Sequence, residues 1–253
     1  INQKGGVGKT TTAVNLSALL GAMGQRVLMI DLDPQGNTTS GLGMEVDDKS
    51  IYEVIMGRMK LTDVMEETEF KNLSIAGSDV RLANAELELV EVEKREYRLK
   101  TAVQSVRQDF DFIFIDCPPS LGLLTINALG AADSVLIPIQ CEYYALEGVA
   151  SLMNTISRVK KTINPHLEIE GVLLTMLDGR TNLGLQVVDE VKKHFKKQVY
   201  ATVIPRSVRL GEAPSHGEPI HVYDKRSAGC VAYVNLAKEV LKRNNIKVKE
   251  FKL

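Results

Sequence analysis

The chain has 253 residues, of which 44% are apolar and 25% charged, as is ordinary for a soluble globular protein with a sizeable core. Its three cysteines, Cys117, Cys141 and Cys230, are odd in number and lack CxxC spacing. They argue against a disulfide framework and a zinc site, and they suit a reducing cytosol. No apolar run approaches the roughly 18–20 residues that span a membrane, and no signal peptide is visible.

The net charge of −1 results from two halves of opposite sign. Residues 1–150 hold 13 Lys and Arg against 22 Asp and Glu, a net of −9, whereas residues 151–253 hold 18 against 10, a net of +8. The basic half indicates an anionic partner, and a solvated basic surface without a partner is the alternative.

Apolar runs and helical periodicity alternate along the chain. Short runs that are rich in β-branched or aromatic residues and end at turn signals predict buried parallel strands. In chain order, the predicted elements are a helix at 11–23, a strand at 27–30, two helices within 81–108, strands at 112–115 and 135–139, a helix at 146–161, a strand at 171–176, a helix at 185–195, a strand at 201–204 and a helix at 228–243. This alternation predicts one α/β domain over residues 1–253, with a single doubly wound, mostly parallel sheet and helices on both faces.

The sequence QKGGVGKT near the start of the chain almost matches the phosphate-binding pattern G-x-x-x-x-G-K-S/T, with Gln3 in place of the first glycine. Its glycines allow backbone conformations that bring N–H groups to phosphate oxygens, and the next helix points its positive end there. Lys9 is expected to contact the β- and γ-phosphates, and the Thr10 hydroxyl to bind Mg²⁺. A plain glycine turn before a helix is the alternative. The residues expected at the phosphates are Gly5, Gly6, Val7, Gly8, Lys9 and Thr10.

A phosphate loop normally lies between a strand and a helix. Only Ile1, Asn2 and Gln3 precede this loop. We therefore expect a further central strand before the loop, truncated in this sequence.

Aspartates follow two of the predicted strands. Asp31 and Asp33 come at the end of the strand at 27–30, and Asp116 at the end of the strand at 112–115. Ligands of open α/β sheets bind at these strand ends, and such an Asp provides a second anchor for a nucleotide-bound Mg²⁺. A strand-end or helix-cap role is the alternative for any one of them. The prolines Pro118 and Pro119 predict an extended, non-helical segment, which suits a loop that senses the γ-phosphate.

Five stretches together resemble the ParA/Soj chromosome- and plasmid-partitioning ATPases, of the deviant-Walker-A group that includes the MinD division-site ATPases. They are KGGVGKTTT, VLMIDLDPQGNTTSGLG, FIFIDCPPSLGLLTINAL, PIQCEYYALEG and IPRSVRLGEAPSHGEPI. The resemblance covers residues 2 to about 240. It implies ATP/ADP and Mg²⁺ as ligands and a homodimer that forms with ATP, in which Lys4 reaches the phosphates bound by the partner subunit. Exposure of Lys4 to solvent is the alternative.

The resemblance also implies roles for other site residues. Asp33 matches the residue that positions or activates the attacking water, and Asp116 the carboxylate that supports Mg²⁺ through water. Thr11 matches a contact to the α-phosphate, and Asp31 is expected to act behind these residues. The implied catalytic residues are Lys4, Lys9 and Asp33, the implied metal-site residues are Thr10, Asp33 and Asp116, and the implied adenine contacts are Pro205 and Arg206.

ATP-bound dimers of this family bind DNA without sequence preference, and a ParB/Spo0J-type centromere-binding protein stimulates hydrolysis. The resemblance therefore implies a cytoplasmic protein that associates with the nucleoid when ATP is bound. Phosphate neutralisation drives such DNA binding. The candidate DNA-binding residues are Arg180, Arg209, Arg206, Lys225 and Arg226. A local ion pair is the alternative for each arginine.

A MinD-like, membrane-associated positioning ATPase is the alternative function. It would need an amphipathic membrane helix at the end of the chain. In the tail LAKEVLKRNNIKVKEFKL, the predicted helix ends near Arg243 and Asn244 and Asn245 interrupt it. The apolar residues that follow, Ile246, Val248, Phe251 and Leu253, give no sustained apolar face. The sequence therefore favours partitioning.

Overall fold

The computed structural model describes residues 1–142, 149–180, 182–248 and 251. Within them it contains seven strands and eleven α-helices. The strands are β1 (Val27–Asp31), β2 (Met65–Glu67), β3 (Leu73–Ala76), β4 (Phe112–Asp116), β5 (Ser134–Gln140), β6 (Glu168–Leu177) and β7 (Val199–Pro205). The helices are α1 (Lys9–Ala22), α2 (Asn37–Gly41), α3 (Ile51–Ile55), α4 (Leu82–Glu88), α5 (Arg98–Gln104), α6 (Leu123–Ala131), α7 (Val149–Thr162), α8 (Asn182–Phe195), α9 (Val208–Glu212), α10 (Ile220–Tyr223) and α11 (Ala228–Arg243).

Backbone hydrogen bonds join the described strands into two groups, in the orders β2-β3-β1-β4 and β5-β6-β7. All neighbours are parallel except β2 and β3. The register of β1 and β4 runs from Val27 opposite Phe112 to Asp31 opposite Asp116. This register places two of the predicted acidic residues side by side at the carboxyl end of the sheet.

A cavity of about 380 Å³ lies between β4 and β5 and is lined by Ile1 and by residues of both strands. The first two residues of the chain are hydrogen-bonded to β5. The Ile1 amino group donates to the carbonyl of Leu136 at 2.9 Å, and Asn2 Nδ2 donates to the carbonyl of Pro138 at 2.7 Å. The central strand predicted before the loop would fit between β4 and β5. Its placement there, and the single domain over the whole chain, stay predictions.

The side chains of β1 show that helices cover both faces of the sheet. Val27 and Met29 pack in a buried cluster with α1 and α11, whereas Leu28 and Ile30 pack in a second cluster with α3, α4, α5 and α6. A third cluster joins β5 and β6 to α7 and α8. Because alternate residues of a strand point to opposite faces, the first two clusters lie on opposite faces of the sheet. Together with the parallel pairing of the strands, they confirm the predicted α/β class with a mostly parallel sheet.

All five predicted strands are present, and each is longer than predicted by between one and four residues. The predicted helix at 146–161 is observed as α7 from Val149, and residues 146–148 lie outside the described residues. Strands β2 and β3 were not predicted from the sequence. No described helix is long and apolar enough to cross a membrane.

Candidate nucleotide-binding site

The glycine loop forms an open cradle in front of α1. Gly6 and Gly8 have φ angles of +70° and +88°, a left-handed conformation that disfavours residues with a Cβ. Gly5 and Gly6 are exposed, and apart from the adjacent residues of the chain no atom lies within 4 Å of the place where a Cβ on either would sit. The loop can therefore present its backbone to a ligand at the N-terminus of α1, where unpaired N–H groups favour anions.

Two polar side chains hold this loop in place. Asn2 Oδ1 accepts a hydrogen bond from the Lys4 amide at 3.0 Å, while its amide group binds β5. Thr175 on β6 donates from Oγ1 to the carbonyl of Val7 at 2.9 Å. The loop shape is therefore fixed by neighbouring strands as well as by its glycines. Neither Asn2 nor Thr175 was singled out from the sequence.

The two lysines of the loop differ in their environment. Lys9 Nζ turns back over the loop and donates to the carbonyl of Lys4 at 3.2 Å. Burial lowers the pKa of Lys9, and the negative charges of Asp116 and Asp33 oppose that effect. The side chain of Lys4 is half-buried, and no ion pair among the described residues involves it. Lys9 is thus placed to act inside its own site, and Lys4 has no ionic partner there.

Asp116 lies at the centre of a hydroxyl–carboxylate cluster at the end of β4. Its Oδ2 accepts hydrogen bonds from Thr10 Oγ1 and Thr38 Oγ1, both at 2.7 Å, and its Oδ1 accepts from the Cys117 amide at 3.1 Å. Burial raises the pKa of Asp116, and the two threonine hydroxyls act in the opposite direction. The structure thus brings together Thr10 and Asp116, which the sequence analysis paired, and adds Thr38, which it missed.

This donor set fits Mg²⁺. A threonine hydroxyl and a carboxylate are hard oxygen ligands, and Mg²⁺ in phosphate sites takes its remaining ligands from water and the nucleotide. Among the described residues no group of three or more His, Cys, Asp or Glu could hold a metal ion by itself. The cluster would therefore hold the ion only together with a phosphate ligand.

Asp31 and Asp33 follow the same strand but have different surroundings. Asp31 is fully buried and accepts from the Thr39 amide at 2.9 Å, the Thr39 hydroxyl at 2.7 Å and the Asp33 amide at 3.2 Å. Burial, with a further contribution from Asp116, raises its pKa to about 7. Asp31 therefore holds α2 and the Asp33 backbone in position. The Asp33 carboxylate accepts one described hydrogen bond, from the Gln35 amide at 3.0 Å, which leaves it capacity to accept from a water molecule.

The remaining predicted nucleotide contacts lie at the same edge of the sheet. Pro205 ends β7, and the Arg206 amide donates to the carbonyl of Leu177 at 3.2 Å. Thr11 is half-buried in the first turn of α1, where its carbonyl accepts from Asn15 at 2.7 Å. Their contacts to adenine and to the α-phosphate stay predictions.

Three of the four candidate DNA-binding arginines form ion pairs within the chain, two of them in loops after strands and the third, Arg209, in α9. Arg180 binds Asp178 at 2.8 Å, and its guanidinium holds the pKa of that carboxyl far below its usual value. Arg206 pairs with Glu142 at 3.2 Å. Arg209 pairs with Glu212 at 2.8 Å and with Asp224 at 3.4 Å. The local ion pair considered from the sequence is therefore present for all three arginines.

These ion pairs do not prevent the arginines from binding DNA phosphates. Arg180 is 89% exposed, and exposed ion pairs typically contribute only about 0–1 kcal/mol, so a phosphate can compete for the guanidinium. Lys225 and Arg226 are exposed, and no ion pair among the described residues involves either side chain. DNA contact by these five residues stays a prediction.

Comparisons with known proteins show the family to which the chain belongs. The family model described as an AAA domain matches residues 1–169. The chain is 59% identical over 241 residues to the sporulation initiation inhibitor protein Soj of Bacillus subtilis (strain 168), covering 94% of this chain and 95% of the relative. It is 52% identical over 248 residues to the chromosome partitioning protein ParA of Myxococcus xanthus (strain DK1622), covering 97% and 88%.

A crystal structure with a similar fold contains the ligands that this donor set fits. It is described as cobyrinic acid a,c-diamide synthase from Mycobacterium smegmatis with bound ATP analogue and magnesium. The TM-score is 0.85 at 37% identity, and the match covers 100% of this chain and 97% of the other.

The glycine cradle, Lys9 and the Thr10–Asp116 pair at the carboxyl edge of a mostly parallel sheet define a Mg²⁺-dependent phosphate-loop ATPase. Within that class, the chain belongs to the ParA/Soj family of partitioning ATPases, because its sequence matches Soj and ParA proteins over nearly its whole length.

Proposed function

We propose that this protein is a DNA-partitioning ATPase whose ATP-bound dimer binds DNA without sequence preference, and whose hydrolysis of ATP, stimulated by a ParB-type partner, releases it. The proposal rests on one observation, which is that the two lysines of the loop lie in different environments. Lys9 turns into its own site, whereas Lys4 forms no ion pair among the described residues. A second subunit's phosphates would provide the partner that Lys4 lacks.

Each residue of the site has a defined task in this proposal. The loop amides and Lys9 bind the β- and γ-phosphates, and Thr10 with Asp116 holds the magnesium end of the nucleotide. Bound Mg²⁺ supplies positive charge against the phosphates. Asp33 orients the water that attacks the γ-phosphate, and Lys4 of the partner subunit neutralises charge that develops there, as an arginine finger does in trans.

Dimerisation would also switch DNA affinity. Each copy contributes the same exposed cations at the carboxyl edge of the sheet, so a dimer doubles the number of phosphates it can neutralise and binds DNA through both copies at once. Light scattering with ATP and with ADP tests whether dimerisation depends on ATP. The proposal expects a dimer with ATP and a monomer with ADP, and a monomer under both conditions would contradict it.

Replacing Arg180 with alanine should weaken non-specific DNA binding in the presence of ATP. The slope of log affinity against log salt concentration should become less steep by about 0.9 for each phosphate that is no longer neutralised. A dimer loses two such contacts, so its slope should change by about 1.8. Arg107→Ala is a matched control, because Arg107 is also exposed and paired, with Asp133 at 2.9 Å, but Asp133 precedes the amino end of β5. Equal weakening in both variants would remove Arg180 from the DNA surface.

Replacing Asp178 with asparagine should have the opposite effect and raise DNA affinity. The substitution removes the carboxylate that now competes with DNA phosphates for Arg180 and that also acts electrostatically on Arg206. The same titration measures the effect, with Asp133→Asn as the control at the opposite edge of the sheet. Unchanged affinity in Asp178→Asn would show that this ion pair does not limit DNA binding.

The membrane alternative receives less support from the tail. Ile246, Val248 and Phe251 pack against the buried cluster of α1 and α11, so these side chains are occupied within the protein. Residues 249, 250, 252 and 253 lie outside the described residues. Co-sedimentation with liposomes that needs both ATP and residues 244–253 would reverse this ranking.

A further inference from the structure

The segment that follows β3 carries an apolar stripe on its solvent side. Val80, Leu87 and Val90 are 79%, 77% and 54% exposed, and Ala83 between them is exposed as well. Their spacing of three, four and three residues places them on one face of α4 and its flanking turns. The opposite face of this segment is buried, with Leu82, Ala85 and Leu89 in the second core cluster. The outer stripe is therefore not needed to attach the segment to the core.

Two exposed carboxylates that form no ion pair among the described residues follow this stripe. Residues 86–96 hold five glutamates against one lysine and one arginine, a net charge of −3. Glu88 pairs with Arg58, whereas no ion pair among the described residues involves Glu91 or Glu93, and both are exposed. Arg95 donates to the carbonyl of Val90, and no ion pair among the described residues joins it to either glutamate. An apolar stripe with free carboxylates beside it is complementary to a segment that has apolar side chains on one face and cations at its rim.

The segment that carries the stripe is hydrogen-bonded at two places to elements beside the nucleotide site. Glu86, on the same helix, accepts a hydrogen bond at 3.2 Å from the Leu124 amide in the first turn of α6. This turn directly follows the loop after Asp116. At the other end, the Ser78 amide donates at 3.0 Å to Thr39 Oγ1, which itself binds Asp31. A partner on this segment would therefore contact a part of the chain that is hydrogen-bonded to α2, which follows Asp33, and to α6, which follows the loop after Asp116.

We infer that the Val80–Ala83–Leu87–Val90 stripe is the docking surface for a basic, amphipathic segment of the partner that stimulates hydrolysis. The inference rests on the proposed function, because it assigns a surface to that partner. DNA is disfavoured as the occupant by the net negative charge. A second copy of this chain is disfavoured because a two-fold contact would bring Glu91 and Glu93 close to their own counterparts.

The test uses a fluorescent 14-residue peptide of leucine and lysine with the two residue types on opposite helical faces, and a counterpart with every lysine replaced by glutamate. Anisotropy with the full chain and ATP should show binding of the lysine peptide only. Leu87→Ser/Val90→Ser and Glu91→Lys/Glu93→Lys should each weaken binding by about tenfold, which is the scale of removing interface anchor residues. Val231→Ser is the matched control, since Val231 is 50% exposed on α11, and it should bind as the wild type does.

Equal binding by all variants, or no binding of the lysine peptide to the wild type, would overturn the inference. Because all substituted side chains are exposed, the variants should fold normally, and an unchanged thermal unfolding midpoint verifies this.

Light scattering with ATP separates the inference from the function on which it rests. A wild type that dimerises with ATP but does not bind the peptide contradicts only the inference, and a wild type that never dimerises contradicts the function. Loss of the ATP dimer in Leu87→Ser/Val90→Ser would assign the stripe to a second copy and overturn the inference.

Discussion

Asp33→Ala is expected to trap the protein as an ATP-bound dimer and to slow ATP turnover by about 100-fold or more, the effect typical of removing a group that positions or activates a nucleophile. The Asp33 carboxylate accepts a single described hydrogen bond, so its removal leaves the surrounding structure nearly unchanged. The Thr10–Asp116 pair and Lys9 are untouched, and nucleotide binding should therefore persist.

Phosphate release under excess ATP measures turnover in this variant, and light scattering measures the dimer that accumulates. Asp47→Ala is a suitable control, since Asp47 is also acidic and is exposed in the loop before α3. That control should hydrolyse ATP at the wild-type rate. Unimpaired hydrolysis in Asp33→Ala would remove Asp33 from the mechanism.

Lys4→Ala is expected to abolish the ATP-dependent dimer while leaving nucleotide binding by the monomer largely intact. The Lys4 contacts within its own loop are made by its backbone amide and carbonyl, which alanine retains. Without the lysine side chain, two negatively charged nucleotide sites would face each other without a neutralising cation between them. Lys9→Ala is the informative comparison, because it should lose nucleotide binding itself.

Light scattering with ATP and titration of a fluorescent ATP analogue separate these two roles. The expected pattern is binding without dimerisation for Lys4→Ala and neither for Lys9→Ala. Lys49→Ala, at an exposed position before α3, should behave as the wild type. A normal ATP-dependent dimer in Lys4→Ala would refute the role across the subunit interface.

Strands were predictable where an uninterrupted apolar run ends at a turn signal. The first four residues of β1 form such a run and Asp31 ends it, so its type and position could be read directly. The short strands β2 and β3 were missed because neither has such a run. Met65–Glu67 is mostly exposed and acidic, and Leu73–Ala76 is only four residues long and includes a serine. Pairing with β1 determines β3, and that pairing is not visible in a local pattern.

The site was predictable to the extent that its residues follow a spacing rule. The glycine loop, Lys9 and Thr10 are contiguous, and Asp116 ends an apolar strand. Thr38 and Thr175 follow no such rule, because hydroxyl residues are common and their partners Asp116 and Val7 are 78 and 168 residues away. Asp31 and Asp33 differ in their surroundings because of Thr39. The amide and hydroxyl of Thr39, in α2, donate hydrogen bonds to Asp31, and this contact depends on how α2 packs.

The ion pairs of the candidate DNA-binding arginines were only partly accessible from sequence. Asp178 is two residues from Arg180, and Glu212 is three residues from Arg209, so a local pair could be considered for both. The pair between Arg206 and Glu142 joins the ends of β5 and β7 and needs the fold. Sequence spacing therefore identifies the nearby carboxylates, whereas Glu142 beside Arg206 and Asp224 beside Arg209 are found only in the folded chain.

The most direct test of the DNA-partitioning switch is a titration of non-specific duplex DNA against the protein with ATP, with ADP and without nucleotide, at about 50 mM and 200 mM salt. The account predicts tight binding with ATP only, and a steep fall in that binding at the higher salt concentration. Absence of DNA binding under ATP, in a sample shown by light scattering to be dimeric, would contradict it.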